Sequence, residues 1–440
     1  MKSLSIYWCK LITCLAMLVI AMPALSAQPL AAVEPAARTV TLSDLIDDAV
    51  RRNPGVQAKR RAYEAARARV LASWLPDDPE FGVDVEGQPS LFHLSDRTDR
   101  EYMLVQTIPF PTTLWLKRTA ALRDADIAFE RWKEEERQVV WHLEQPYAEL
   151  FLTDRTQRAL EEVGALLERL ARTVQSRYET NQASQQDLLK VQIESSKLAI
   201  ERFDWQQKSH LAAAHIAHLL SQPLENRYVP TEQPEAALTL SLPELEQLAL
   251  RERPELRAAE LGIKRARVGR WLQRTSWLPQ LVGRLEARQY PGDGNIQQYD
   301  TFIGATVPVW SIVKGLGGEW RAASHDVGEA EGMYDEMKNE VRLAVHAAYA
   351  KAQSADYAVR EYELAILPKA KQQVEVAMAS YEAGRIDFLA LIDAQRMLKD
   401  SQMAYYRVKG DQQIGLADLR LAVGAPWPVS TTPKPSGGGS

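Results

Sequence analysis

Apolar positions along this chain follow two rhythms, and each predicts a different kind of element. Val341, Val345, Ala348, Ala352, Ala355, Val359, Tyr362 and Ile366 are spaced alternately four and three apart, and Leu160, Val163, Leu167, Leu170 and Val174 keep the same beat earlier. A 3.5-residue repeat holds one apolar seam against a neighbouring helix under left-handed supercoiling. Long coiled-coil helices are expected, with Ala on the seam to let partners come close. The roughly 65 residues from Thr112 to Tyr178, at about 1.5 Å each, would reach on the order of 100 Å. Pro146 and Pro368 are expected to kink these helices rather than end them.

The second rhythm has period two. In 80–87, Phe81, Val83 and Val85 alternate with Gly82, Asp84 and Glu86. In 281–288, Leu281, Gly283, Leu285 and Ala287 alternate with Val282, Arg284, Glu286 and Arg288. More apolar partner strands are expected near 101–109 and 300–309. One charged and one apolar face suit a strand between a wet lumen and lipid, although an ordinary half-solvated sheet shows the same alternation. Tryptophan placement favours the membrane: Trp74, Trp115, Trp271, Trp277, Trp310 and Trp320 stand just outside the strand pairs, where an interfacial aromatic belt would sit.

These elements are written twice. Leu42, Leu45, Ala49, Arg51, Pro54 and Ala58 recur at an offset of 200 as Leu242, Leu245, Ala249, Arg251, Pro254 and Ala258. At an offset of 203, Trp74-Leu75-Pro76 recurs as Trp277-Leu278-Pro279, Tyr178-Glu179 as Tyr381-Glu382, Gln192 as Gln395 and Pro223 as Pro426. Each unit runs from an Ala/Arg-rich helix (about 55–75 and 255–277) through two short strands to a very long helical hairpin. The chain divides into a signal segment (1–27), a first repeat (28–222), a linker (223–243), a second repeat (244–425) and a disordered tail (426–440). The first repeat holds a β-hairpin about 80–109 and a helical hairpin about 112–222; the second holds them about 280–309 and 313–425. Pro223, Pro230, Pro234 and Pro243 exclude continuous helix in the linker.

The first residues add a location. Lys2 and Lys10 precede and flank the apolar run Leu11–Met22, which is too short to span a bilayer, and Ala24-Leu25-Ser26-Ala27 ends in small residues. That is the pattern of a cleaved export signal. Removing it takes the net charge from −5 to −7 and removes both cysteines, Cys9 and Cys14, so disulfides, thiolate metal sites and cysteine nucleophiles are not expected. Thr13 before Cys14 departs from the small residue that lipidation requires. Beyond the signal no stretch of 18 apolar residues occurs, and the mean hydropathy of −0.31 is too polar for a bundle of membrane helices. A mildly acidic chain gives no reason to expect nucleic acid.

Two hairpins supply four strands, which cannot close around a lumen. Open edges in lipid would leave backbone groups unsatisfied at several kcal/mol each. The chain must associate, and three copies would give twelve strands and twelve long helices.

At this point the residues resemble the TolC family of outer-membrane efflux factors, over roughly 40–425. The most specific stretch runs from Tyr381-Glu382-Ala383-Gly384-Arg385 through Asp387-Phe388-Leu389 to Asp393-Ala394-Gln395, and resembles the family's second hairpin tip; it looks closest to the heavy-metal efflux branch (CzcC/CusC-like). Arg177-Tyr178-Glu179-Thr180-Asn181-Gln182 to Asp187-Leu188-Leu189 resembles the first tip, with Asn181 where the family has Gly. Asn tolerates the left-handed turn.

The resemblance implies a mainly α fold with a β-barrel part: a homotrimer whose 12-stranded outer-membrane β-barrel joins a 12-helix periplasmic α-barrel. It implies an efflux outlet in a Gram-negative outer membrane, in contact with lipid. Its partners would be a periplasmic adaptor (membrane fusion) protein and an inner-membrane pump of the RND type. The adaptor contacts would be Thr180, Asn181, Gln182, Ala383, Gly384 and Arg385. Asp187, Tyr381 and Asp393 fall on the family's periplasmic gate positions. The second acidic ring position carries Ala390 here, and Ile386 stands where the lock's Arg is expected. Asp187 and Asp393 also read as solvated helix-start charges that stabilise the dipole.

No cofactor, metal or catalytic centre is expected. His210, His215 and His218 lack a carboxylate or third ligand in the same turn. Gly315-Leu316-Gly317-Gly318 lacks the Lys-Ser/Thr of a phosphate loop and reads as a strand-to-helix elbow. Two alternatives remain, a type I protein secretion outlet and a periplasmic coiled-coil adaptor that is not a channel.

Overall fold

Both repeats open with a helix pair broken at an X-Pro step. In the computed structural model, Leu42–Arg52 (α1) is followed by Pro54–Ala72 (α2), and Leu242–Glu252 (α5) by Pro254–Arg274 (α6). The residue before a proline is driven from helical to extended backbone, and Asn53 and Arg253 sit at ψ 125° and 122°. Asn53 then caps α2, accepting from the amides of Gly55 and Val56, while its amide group donates to the Leu219 carbonyl at 3.1 Å. The structure describes residues 38–86, 99–180, 184–231, 240–290, 292 and 294–424, all within one compact unit. The signal segment and the tail 426–440 lie outside the described residues.

A two-stranded pairing that no periodicity announces ties the linker to the start of the first repeat. Arg38–Val40 (β1) pairs in parallel with Tyr228–Pro230 (β4). Beneath them the buried Tyr147 hydroxyl lies 3.3 Å from the carbonyls of Val40 and Thr231. Leu143, Leu150, Ile216 and Leu220 complete this core.

The four longer strands, Glu80–Glu86 (β2), Asp99–Ile108 (β3), Leu281–Gln289 (β5) and Gln298–Ala305 (β6), form one antiparallel sheet in the order β2-β3-β5-β6. Two hairpins from different repeats are thus joined side by side through β3 and β5. Paired residues share a face, so the register sorts the sheet. Phe81, Leu104, Leu285 and Thr301 lie in one row, and Val83, Tyr102, Ala287 and Tyr299 in another on the same side; Ile108, Leu281 and Ile303 join them. The opposite face carries Glu80, Asp84, Glu86, Asp99, Glu101, Glu286 and Asp300 against Arg284 and Arg288. Arg288 meets Glu101 at 2.8 Å and Arg284 meets Glu286 at 2.6 Å. The apolar face is open, with Phe81 70%, Tyr299 75% and Ile303 84% exposed.

The long helices are Pro111–Glu179 (α3), Gln185–Leu219 (α4), Trp320–Glu361 (α8), Leu367–Glu382 (α9) and Phe388–Val423 (α10), with a short Val309–Lys314 (α7) after β6. At 69 residues and about 1.5 Å each, α3 is on the order of 100 Å long. Helix α3 continues through Pro146, which is buried, so the helix is not ended there. Pro368 acts differently. It has no N–H to offer the carbonyl one turn back, and the turn before it widens to π geometry over Tyr362–Ile366, with the Leu367 amide donating to the Tyr362 carbonyl. One inserted residue shifts the seam. Val341 to Val359 are buried as expected, but Ile366 is exposed, and the buried row resumes at Ala370, Val374, Ala377 and Tyr381. The glycines at 315–318 lie at a kink centred on Gly318 (φ 143°) between α7 and α8, rather than at an elbow leaving a strand, because β6 ends at Ala305.

Helix α3 packs between α4 and α10, and α10 between α3 and α8. The outer helices keep unpartnered apolar rows: Leu189, Ile193, Ile200 and Phe203 on α4, and Leu343, Tyr357 and Leu364 on α8 and the turn after it. Between α10 and α8 the approach is close, since a Cβ on Gly415 would lie 3.2 Å from the Ala352 Cα. Gly415→Leu should therefore push the two helices apart and destabilise the chain by about 1–3 kcal/mol. A fall in Tm measured on the folded protein checks this, and an unchanged Tm would show that the crossing has slack.

Candidate functional site

The ends of the helical hairpins are built from capping chemistry. Helix α9 closes on Ala383, with the Gly384 amide donating to the Tyr381 carbonyl at 3.0 Å and the Arg385 amide to Ser380 at 2.8 Å. This double closure needs left-handed backbone at its second-last residue, and Gly384 supplies φ +71°. The next helix starts at once: Asp387 caps α10 by accepting from the Ala390 amide at 3.0 Å. In the first repeat, Thr180 ends α3, its hydroxyl donating to Ser176 and Arg177. Asn181 and Gln182 lie outside the described residues. Ser184 opens α4 in a reciprocal box with Asp187, the hydroxyl donating to the carboxylate at 2.8 Å and the Asp187 amide donating back at 3.2 Å.

The three predicted gate residues have different surroundings. Asp187 is occupied by that capping box. Tyr381 is buried: its ring meets Phe388 edge-on at 5.8 Å, and the Arg177 guanidinium lies 4.6 Å from its centroid while donating to its carbonyl at 3.3 Å. Tyr381 thus fastens the two tips to each other. Asp393 is exposed and accepts from Arg396 at 3.3 Å. Arg396 also pairs with Glu194 on α4, and Lys399 with Glu201 at 2.9 Å. Arg177 and Phe388 were read only as members of the tip stretches, with no role of their own, and Glu194 and Arg396 were missed because each looks like an ordinary helix residue; only their nearness across repeats gives them a role.

Farther along, buried ion pairs clamp α3 to α10. Glu144 meets Arg420 at 2.8 Å, while Arg137 bridges Glu134 and the Leu421 carbonyl. Asp418 accepts from Trp141 and from Lys351, both at 2.7 Å. Burial pushes Glu144 and Glu134 above the usual carboxylate range and Arg137 below its own, because the charged forms are desolvated. These pairs are structural. Among the described residues no cluster of His, Cys, Asp or Glu is arranged to hold a metal ion.

The tip pair offers a test by pH. Hydrogen bonding from Arg396 holds the Glu194 carboxyl below its ordinary value. A depressed pKa stabilises the folded chain above the unfolded value and loses that contribution as pH falls through the folded one. Arg396→Gln should lower Tm at pH 7, and the gap should close as pH drops below about 4.3, the ordinary Glu value. A gap that persists at pH 3 would assign the loss to packing.

Comparison with known proteins agrees with this geometry. Residues 245–425 match the outer membrane efflux protein family. No curated protein sequence matches the chain. Solved structures share its fold over most of its length. The outer-membrane channel OprN aligns with a TM-score of 0.73 at 16% identity, over 88% of this chain and 90% of that one. The outer membrane protein VceC of Vibrio cholerae gives 0.71 at 15%, over 87% and 96%. CusC gives 0.72 at 16%, over 88% and 92%. The second repeat thus matches the outer membrane efflux protein family in sequence, and the chain as a whole shares the fold of solved outer-membrane channels.

Proposed function

We propose that three copies of this chain form a channel, with a twelve-stranded barrel in the outer membrane and a tunnel of twelve long helices below it. The sheet carries this reading: it has one open apolar face, one charged face and two unpaired edges, β2 and β6. Joining β6 of one copy to β2 of the next satisfies both edges, and the unpartnered rows on α4 and α8 offer helices the same closure. The channel would take its cargo from an inner-membrane pump of the RND type through a periplasmic adaptor docked on Thr180 to Gln182 and Ala383 to Arg385. Seven carboxylates against two guanidiniums on the charged face favour cations, which supports heavy-metal ions as the cargo.

Detergent-extracted protein should weigh three chains by light scattering and conduct cations preferentially in planar bilayers. A stable monomer without conductance would sink the channel. We place the periplasmic constriction at Asp187 and Asp393, where threefold symmetry would gather six carboxylates. The Asp187→Asn/Asp393→Asn double variant should lose block by multivalent cations from the periplasmic side; unchanged block would leave both as local helix charges.

The tips can be tested separately. Gly384 has open space around it but a backbone that costs other residues about 1–2 kcal/mol, Asn least. Gly384→Asn should keep efflux near normal, whereas Gly384→Glu should abolish it with the trimer intact. Normal efflux by the Glu variant at equal abundance would remove the second tip from the adaptor contact.

A further inference from the structure

Just below the sheet, α2 and the start of α3 enclose a groove of about 510 Å³. Arg67 and Arg118 line it together with Leu71, Trp74 and Leu122. The Arg118 guanidinium stacks 5.6 Å from the Trp74 ring, and among the described residues neither arginine pairs with a carboxylate. The one acid in the lining, Asp126, is held by Arg123 at 3.1 Å. Leu71 is 76% exposed, so the groove offers two free cations beside bare hydrocarbon. The duplicated position behaves otherwise: at the offset of 200, Arg67 corresponds to Arg267, which is paired with Glu331 at 2.9 Å.

Position narrows the chemistry. Trp74 stands between α2 and β2, and Trp115 in the first turns of α3, where the sheet passes into the helices, which is the periplasmic border in the proposed channel. Arg118 and Arg67 lie about two helical turns beyond the strand ends, or on the order of 10 Å. Headgroup layers add about 5–7 Å to each side of the hydrocarbon, and arginine side chains reach toward that level with their stems on apolar surface. A phosphate is the anion found there, and guanidinium groups bind it by charge-assisted hydrogen bonds.

We propose that this groove binds a phospholipid of the periplasmic leaflet, its phosphate held by Arg67 and Arg118 and its acyl chain laid along Leu71, Trp74 and Leu122. The proposal rests on the sheet facing lipid, and deepens it by naming a lipid subsite in the first repeat alone. Delipidated wild-type trimer should bind short-chain phosphatidylglycerol by native mass spectrometry, and Arg67→Gln/Arg118→Gln should bind it about tenfold more weakly or worse, the loss expected from hydrogen bonds to charged groups. Arg67→Lys/Arg118→Lys, which keeps the charge, should recover part of the affinity, and Arg267→Gln should bind as wild type. Diacylglycerol, which lacks the phosphate, and inorganic phosphate, which lacks the chains, should each bind far more weakly than the phospholipid.

Equal binding by the double Gln variant, by diacylglycerol or by inorganic phosphate would overturn the proposal. Failure of the wild type itself to insert into vesicles would instead strike the channel reading, so the two failures are distinct.

Discussion

Backbone groups in hydrocarbon have no water to bind, and that requirement governs what this chain can do alone. Among the described residues, β3 and β5 are paired on both sides, while β2 and β6 each keep one unpaired edge. An open sheet whose one face is almost wholly apolar cannot rest in water, and an open edge cannot rest in lipid. Repeating the sheet around an axis, as proposed above, would solve both problems. The helices below face a milder version of the same problem, because their outermost members carry apolar rows with nothing packed on them. In the proposed channel, closure of sheet and helices by the same operation would make one assembly of the two regions.

The duplication explains how one chain supplies both. Each repeat contributes a hairpin and a helical hairpin, and the β3–β5 pairing splices them into a continuous sheet. The repeats have since diverged where local chemistry allowed. Pro146 is carried inside an unbroken helix, whereas Pro368 is met by a π turn that moves the seam by one residue. Arg267 is neutralised by Glu331, whereas Arg67 pairs with no carboxylate among the described residues. Such departures from symmetry are where specific roles are expected, since a symmetric device would appear in both halves.

Charge is used differently at the two ends of the helices. At the C-terminal end of α10, against the middle of α3, Glu144 is buried on Arg420, and removal of Arg420 would strand its charge. At the tips, the Glu194–Arg396 pair is more exposed and joins the returning helices, while Arg177 over Tyr381 joins the outgoing ones. The tips are thus held by contacts that water can weaken, around a small apolar core of Tyr381, Phe388 and Leu391.

The sequence by itself determined the repeat, the two periodicities and the turn chemistry. Those rest on local rules: Leu and Val spaced for a seam, alternation in 80–86 and 281–289, and a glycine at 384 where left-handed backbone is needed. What only the tertiary structure decided depends on residues far apart in the chain. Periodicity cannot say that β3 pairs with β5, that β1 pairs with β4 under Tyr147, or that Arg177 reaches Tyr381 from another helix. Nor could spacing show that Ile366 leaves the seam, because the extra residue in the turn before Pro368 is a response to a missing N–H and a crowded carbonyl rather than to any apolar pattern. Local sequence sets what each segment can be; which segments meet is settled by packing, where burial and hydrogen bonding are shared across the whole chain.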